Sequence, residues 1–371
     1  MKIAMVFPSR KSEKAISGYS VYLKEALKKN KLNVDAVTYR AGSPLSFLKI
    51  LSKLKKYDII HIQHEYNLLG YYGLSFFFFY FYFGLFKKSK IITTMHTALS
   101  LKEKFKGNFI KNFFRKLLYF FQNKLINLAS DYIIVHAHFF KDILEKEYGM
   151  PKNKIKILPH GIIDDVKTIP KNKAKKNLGI SGNIYLIIGN FVPDHGADII
   201  LKQADKIRAT ILIVANPKAV NDRKQKRLTN YTNYCINYVK KKHFKKYIRF
   251  DIKPINDEKP EWWLYFSAAD LVLQPYRGGI GSGIFTHAMA TKKPVIASNI
   301  KFFREILKNF GCLKIANKEE DYAKIIKEAM KPKNYKKMIK ECERYLKENS
   351  WSEISKKYKK LYSSFYKIKQ S

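Results

Sequence analysis

The chain has 371 residues, 46% of them hydrophobic, enough for about two domains with cores of their own. Its 72 Lys and Arg against 30 Asp and Glu leave a net charge of +42, which suits anionic lipid surfaces or phosphorylated substrates. No nucleic-acid motif accompanies that charge, so no specific nucleic-acid partner is expected, and lysines spread along helices equally read as solvated surface. Cys235, Cys312 and Cys342 lie far apart with no CxxC, which excludes a disulfide framework and points to a reducing compartment.

Lys2–Phe7 is an apolar strand, and a chain opening directly on a strand predicts no signal peptide. Ser17-Gly18-Tyr19-Ser20 reads as a glycine loop feeding a helix from about Val21 to Lys29, the opening of a doubly wound domain. Val34–Thr38 is a second strand and Phe47–Leu54 a short helix. Asp58–Gln63 is a third strand, ending in His64-Glu65-Tyr66. Polar residues at the carboxyl end of a strand sit where α/β proteins place ligands, although a capped strand end reads the same way.

Residues 68–86 carry no charge and approach the ~20 residues that span a bilayer. The strands on either side belong in one sheet, so a buried or interfacial helix is expected rather than a spanning one. Lys90–Met95 is the fourth strand, ended by His96-Thr97. Residues 101–128 interleave Lys102, Lys104, Lys106, Lys111, Arg115, Lys116 and Lys124 with Phe109, Phe113, Leu117, Phe120 and Phe121. That helical spacing fits a core-facing helix with a basic outer face, or a basic amphipathic helix on anionic lipid. Asp131–Val135 is a strand with His136 at its end, Lys141–Tyr148 a helix closed by Gly149, and Lys154–Leu158 a strand ending in Pro159-His160-Gly161. Residues 164–178 read as a linker.

The second half opens with a strand, Ile184–Ile188, then Gly189-Asn190 and a run to His195-Gly196. Ile211–Ala215 and Ile248–Phe250 are strands, and a helix over Trp262–Ala269 precedes Asp270. Leu271–Leu273 is a short buried strand. Gly278, Gly279, Gly281 and Gly283 then make a loop, Ser282 N-caps a helix over Ile284–Thr291, and Pro294–Ala297 is the next strand. A glycine loop feeding a helix N-terminus is an anion site, and also a plain tight β-α-β turn. Asp321–Met330, Tyr335–Glu348 and Trp351–Tyr366 are helices.

The chain resembles the family 4 glycosyltransferases of the GT-B type. Ala288-Met289-Ala290 and Lys293-Pro294-Val295-Ile296-Ala297-Ser298 match that family's donor-side run, Thr94-Met95-His96 its Thr-x-His, and Ile155 to Gly161 its Pro-x-Gly domain junction. The resemblance implies an α/β fold of two Rossmann-like domains facing across a cleft. Residues 1–165 would form the acceptor-side domain, with a C-terminal helix at 351–371 crossing back to it, and residues 178–350 the nucleotide-sugar-binding domain. It implies transfer of a hexose from a nucleotide-diphosphate donor to a glycan, glycolipid or lipid-linked acceptor with retention. No metal and no cofactor are expected, the nucleotide sugar being a substrate. The location implied is cytoplasmic, at the inner face of the cell membrane, with an anionic membrane surface as a partner.

Carried onto this sequence, the family's roles make His96 catalytic and place Gly18, Tyr19, His64 and Glu65 on the acceptor side. Gly189, Asn190, His195, Arg277, Gly281, Ser282, Gly283 and His287 fall on the donor side. There the chain departs from the pattern. Asn190 and His195 stand where the family's Gly-Arg-x-x-x-x-Lys-Gly has Arg and Lys, and Gly279 and His287 replace two glutamates, the second of which usually holds the donor ribose. Arg277, and His195 when protonated, are expected to supply the missing positive charge. The alternative reading is a catalytically silent GT-B protein acting as a binding or partner subunit.

Overall fold

The apolar runs assemble into two separate parallel sheets. The computed structural model describes residues 1–66, 68, 75–86, 88–103, 107–217, 222–279 and 281–367. The first sheet contains β1 (Lys2–Pro8), β2 (Asn33–Tyr39), β3 (Ile59–His64), β4 (Lys90–Met95), β5 (Tyr132–Val135) and β6 (Ile155–Ile157), in the order β2-β1-β3-β4-β5-β6. The second contains β7 (Ile184–Asn190), β8 (Thr210–Asn216), β9 (Ile248–Ile252), β10 (Leu271–Gln274), β11 (Val295–Ser298) and β12 (Leu313–Ala316), in the order β12-β11-β10-β7-β8-β9. Both are doubly wound: the order reverses at β1/β3 in one and β7/β10 in the other, and ligands bind outside the carboxyl ends of strands at such reversals.

The central strands read as unbroken apolar runs because both of their faces are covered. In the second sheet Ile184, Leu186 and Ile188 pack with Trp262, Phe285 and Met289, while Tyr185 and Ile187 pack with Ile199, Tyr231 and Tyr322 on the opposite side. The three cysteines are buried free thiols.

Residues Met1–Gly161 and the terminal helix Trp351–Lys367 form one compact unit, and Ile162–Ser350 the other. The terminal helix lies against the first sheet through Tyr362 to His61 (2.8 Å), and against the helix Ala15–Lys29 and its C-cap through Tyr358 to Tyr19 (2.8 Å) and Ser355 to Asn30 (2.7 Å). Residues 368–371, at the end of the segment expected to cross back, lie outside the described residues. Pro159-His160-Gly161 owes its glycine to this packing, since a Cβ at Gly161 would sit 2.3 Å from the Trp351 ring.

Two expectations need correction. Residues 164–178 are not all linker: Lys171–Leu178 is a helix of the second unit, closed by Gly179 in the left-handed conformation. Its Lys171 and Lys175 reach the buried Asp270 at 2.8 and 2.7 Å, which explains the helix where its polar sequence suggested none. Nor is Ser17-Gly18-Tyr19-Ser20 a loop. The helix starts at Ala15, because the Glu13 carboxylate accepts the backbone N–H groups of Ala15, Ile16 and Ser17 at 2.8, 2.8 and 3.1 Å.

Of the uncharged segment 68–86, residues 69–74 lie outside the described residues, as do 104–106 in the basic segment. Ser75–Phe86 is a helix with Phe79, Tyr80 and Phe83 in the core. No helix among the described residues is long and apolar enough to cross a membrane.

Candidate active site

In the first unit, side-chain alternation decides which polar groups meet. Residues of one parity in β3 and β4, His61, Gln63, Thr94 and then His96, lie on one face of the sheet. The other parity places His64 on the opposite face, buried with its ring edge-on to Tyr66 (5.3 Å) and Tyr80 (5.9 Å). His64 and His96 therefore do not share a face, and it is Gln63 that contacts His96.

The strands β4, β5 and β6 deliver His96, His136 and His160 just beyond their carboxyl ends, and Tyr19 fills the space between them. Its ring lies 4.7 Å from His96, 5.2 Å from His136, 4.9 Å from His160 and 5.0 Å from Trp351. Tyr19 is buried and its hydroxyl meets Tyr358, so the acceptor-side role expected of it becomes one of packing. Gly18 lies in the first turn of its helix, with open space where a Cβ would be. Glu65, at the β1/β3 reversal, accepts from Thr97 Oγ1 (2.6 Å) and from the Tyr66 N–H (3.0 Å). Burial pushes its carboxyl up, against those two hydrogen bonds.

Proton counting fixes the histidine chain. The Leu158 carbonyl can only accept, so His136 donates to it from Nδ1 (2.8 Å). Neutral His136 then accepts at Nε2 from His96 Nδ1–H (3.3 Å). His96 Nε2, left with a lone pair, lies 3.0 Å from Gln63 Oε1, while the Gln63 NH2 group lies 3.3 Å from His61 Nε2; turning this amide over brings its NH2 end to His96, as the count requires. Neutrality holds because burial drives His96 well below the usual histidine range and His136 to about 4. Burial likewise pushes His61 to about 3, with its Nδ1 on Tyr362 and its Nε2 on Thr94 (2.7 Å). Both ring nitrogens of His96 are thus engaged within the chain. Gln63, which supports His96, and His61 behind it were not singled out in the sequence; their period-2 spacing in β3 was the available signal.

In the second unit, the loops after β7 and β10 meet at the sheet's reversal. Gly189 has φ 121° and passes under Ile284, and Gly196 has φ 65°. A Cβ on Gly196 would lie 2.0 Å from the Pro275 carbonyl, so backbone packs directly on backbone there. Ser282 caps the helix Gly283–Ala290, its Oγ accepting from the Phe285 N–H at 3.1 Å, and it meets Tyr276 Oη at 3.2 Å. Gly281 precedes this cap and Gly283 begins the helix, with open space at both Cβ positions.

The charges are placed differently from expectation. Arg277 is not a free cation: its guanidinium forms a two-pronged pair with Asp198 at 2.8 and 2.7 Å and donates to the Pro193 carbonyl at 2.7 Å. Burial alone would raise the Asp198 carboxyl, but hydrogen bonds from Arg277 and Tyr231 hold it below the usual carboxylate range. His195 stacks on Tyr276 (4.7 Å) and donates from Nδ1 to the Asn190 carbonyl at 2.6 Å, while the Asn190 side chain is exposed. Burial lowers the His195 pKa, so its imidazole is neutral at pH 7, with a lone pair at Nε2. His287 accepts from Trp262 Nε1–H at Nδ1 (3.2 Å), leaving Nε2–H 3.7 Å from Asp257. Gly279 has φ 140°.

Residues 7–166 match the model of Glycosyltransferase Family 4, and residues 168–348 match that of Glycosyl transferases group 1. The chain belongs to the family 4 glycosyltransferases. Its two units are the Rossmann-like domains of the GT-B fold. Among solved structures, sucrose-phosphate synthase from Thermosynechococcus elongatus is similar with a TM-score of 0.76 at 16% identity, over 99% of this chain and 100% of that one. Alr3699/HepE from Anabaena, in complex with UDP, gives 0.72 at 14%, over 98% and 100%. WaaG, a glycosyltransferase involved in lipopolysaccharide biosynthesis, gives 0.63 at 12%, over 96% and 98%. At such identities the likeness is one of fold. No curated protein matches the sequence.

Proposed function

We propose that this glycosyltransferase moves a hexose from a nucleotide-diphosphate donor to a glycan, glycolipid or lipid-linked acceptor with retention, the second unit holding the donor. The observation that carries the reading is the Ser282-capped helix start beside the Gly189–Gly196 loop at the β7/β10 reversal. The diphosphate binds at the positive end of that helix, on backbone N–H groups of the 281–283 turn. Asn190 and His195 border it, and Arg277 braces the neighbouring loop through Asp198. The Alr3699/HepE complexes with UDP and UDP-glucose support a nucleotide-sugar donor, and the involvement of WaaG in lipopolysaccharide biosynthesis supports a glycolipid or lipid-linked glycan as acceptor. His96, held by Gln63 and His136, is the residue we assign to the catalytic role.

The chemical demand is electrostatic. As the bond from the anomeric carbon to the diphosphate oxygen breaks, the leaving group gains negative charge, and one absent donor slows such a step ~10²–10³-fold. With Asn190 and neutral His195 in the loop and Arg277 paired to Asp198, backbone dipoles carry that task. The same pairing is the specific observation favouring the second reading, a silent GT-B partner subunit. Titration calorimetry with nucleoside diphosphates, followed by donor-turnover assays, separates the two. Binding with turnover supports the transferase, binding without turnover supports the silent partner, and no binding of any nucleoside diphosphate removes both donor-site readings.

A further inference from the structure

The helix Phe109–Ala129 is amphipathic the wrong way round for a helix packed on a sheet. Its buried side carries Tyr119, Gln122, Asn123, Ile126 and Ala129, with Asn123 Oδ1 accepting from Tyr66 Oη at 3.1 Å. Its solvent side carries Ile110, Phe114, Leu117, Phe121, Lys124 and Leu128, spaced alternately by four and three residues so that they form one stripe. Phe109 is 84% exposed, Ile110 63%, Phe114 62%, Phe121 50% and Leu128 61%. Single exposed apolar residues are ordinary, but a contiguous stripe of large ones marks an interaction surface.

Charge identifies what covers it. Lys111, Arg115, Lys116 and Lys124 lie on this helix, and no Asp or Glu occurs between Glu103 and Asp131. A second copy of the chain would bring the same four cations against these, whereas an anionic bilayer accepts both the aromatic side chains and the bases. In a doubly wound unit the crossover helix runs antiparallel to its strands. Phe109, Ile110 and Phe114 therefore lie at the end of the unit where β3 and β4 deliver Glu65 and His96.

We infer that the outer face of the Phe109–Ala129 helix docks on an anionic lipid bilayer, with the stripe from Ile110 to Leu128 inserted at the interface. This deepens the reading of a membrane-borne acceptor and specifies the surface that meets the membrane. Vesicle flotation of the full chain tests it, using phosphatidylcholine vesicles with and without 30% phosphatidylglycerol. The protein should float with the anionic vesicles and lose much of that binding in 0.5 M salt.

F114S/L117S/F121S should bind at least 100-fold more weakly, by the apolar area removed. Lys111→Gln with Lys116→Gln should bind about 30-fold more weakly, at roughly fivefold per charge. All five side chains lie on the outer surface or flank it, and circular dichroism with a melting curve checks that each variant folds. Failure of the wild type to float, or equal flotation of the triple variant, overturns the proposal. So does a wild-type dimer that the triple variant dissociates without any change in flotation, because the stripe then meets a second copy. Nucleoside-diphosphate binding, measured in solution on the same proteins, should be unchanged in both variants. Its absence alongside intact flotation would sink the transferase reading and leave this one standing.

Discussion

Mild acid should unfold the first unit before the second. Burial holds His61 and His64 near 3 and His136 near 4, whereas an unfolded histidine titrates at about 6.5. Below that value the unfolded chain binds protons that the folded unit refuses, so stability present above pH 6.5 falls as the pH falls towards the folded values. At pH 5, about 1.5 units below the unfolded value, each of these three groups removes about 2 kcal/mol, roughly 6 kcal/mol in all. His96 and His160 are lowered in the same direction and add to the loss. Glu65, raised by burial, opposes it, but is a single group with its own hydrogen bonds to Thr97 and Tyr66. Against a typical domain stability of about 5–15 kcal/mol, that loss brings the first unit to the edge of unfolding. Hydrogen exchange by mass spectrometry at pH 7.5, 6 and 5, corrected for intrinsic rates, reads it out. Peptides from β3 to β5 should lose protection while those from β7, β8 and β10 keep theirs. Equal protection of both sheets at pH 5 would refute the reasoning that these histidines are buried and neutral.

Other expectations follow from the second unit and the domain junction. His195→Lys places a permanent cation where the neutral ring offers a lone pair, and should tighten nucleoside-diphosphate binding about tenfold or more at pH 8 by calorimetry. Wild-type affinity should rise only as the pH falls below about 6.5, since burial lowers the His195 pKa; a flat profile from pH 7.5 to 5.5 would remove His195 from the site. Asp198→Asn breaks the two-pronged bond to Arg277 and should lower stability by about 2–3 kcal/mol, an amount reduced by the partial exposure of Arg277 and measured as a urea midpoint at pH 7. Because the Asp198 carboxyl is depressed, the difference from wild type should shrink as the pH falls below about 4. Gly161→Ala should lower stability by about 1–3 kcal/mol through collision with Trp351, and pairing it with Trp351→Phe should recover part of the loss.

The two-domain α/β fold was legible because parallel strands buried on both faces stand out as short apolar runs between helices. Gly189 and Gly196 were legible for a steric reason, since packing under Ile284 and on the Pro275 carbonyl requires glycine whatever the neighbouring charges do. The fates of the charged residues were not legible. That Arg277 faces Asp198 depends on a loop and the short helix Ala197–Leu201, with the two residues 79 positions apart, meeting in space. The depressed pKa of His195 comes from burial, which no local pattern encodes. The face to which His64 turns follows from strand parity, but only once the sheet is known to be covered on both sides. The segment 101–128 showed its helical period, yet whether the phenylalanines looked inward or outward was decided by the polar residues Gln122 and Asn123 packing beneath them.

The terminal helix also sets the order in which the chain can mature. Tyr358 and Tyr362 meet Tyr19 and His61, so the unit that emerges from the ribosome first is finished last. The 189 residues of Ile162–Ser350 must be synthesised between its two parts, a wait of roughly 10–40 s at ordinary elongation rates. Throughout that interval one face of the first sheet lacks its cover, and His61 and Tyr19 stand open to water. Nascent chains halted before Trp351 should therefore be selectively held by chaperones and cut by proteases within residues 1–161.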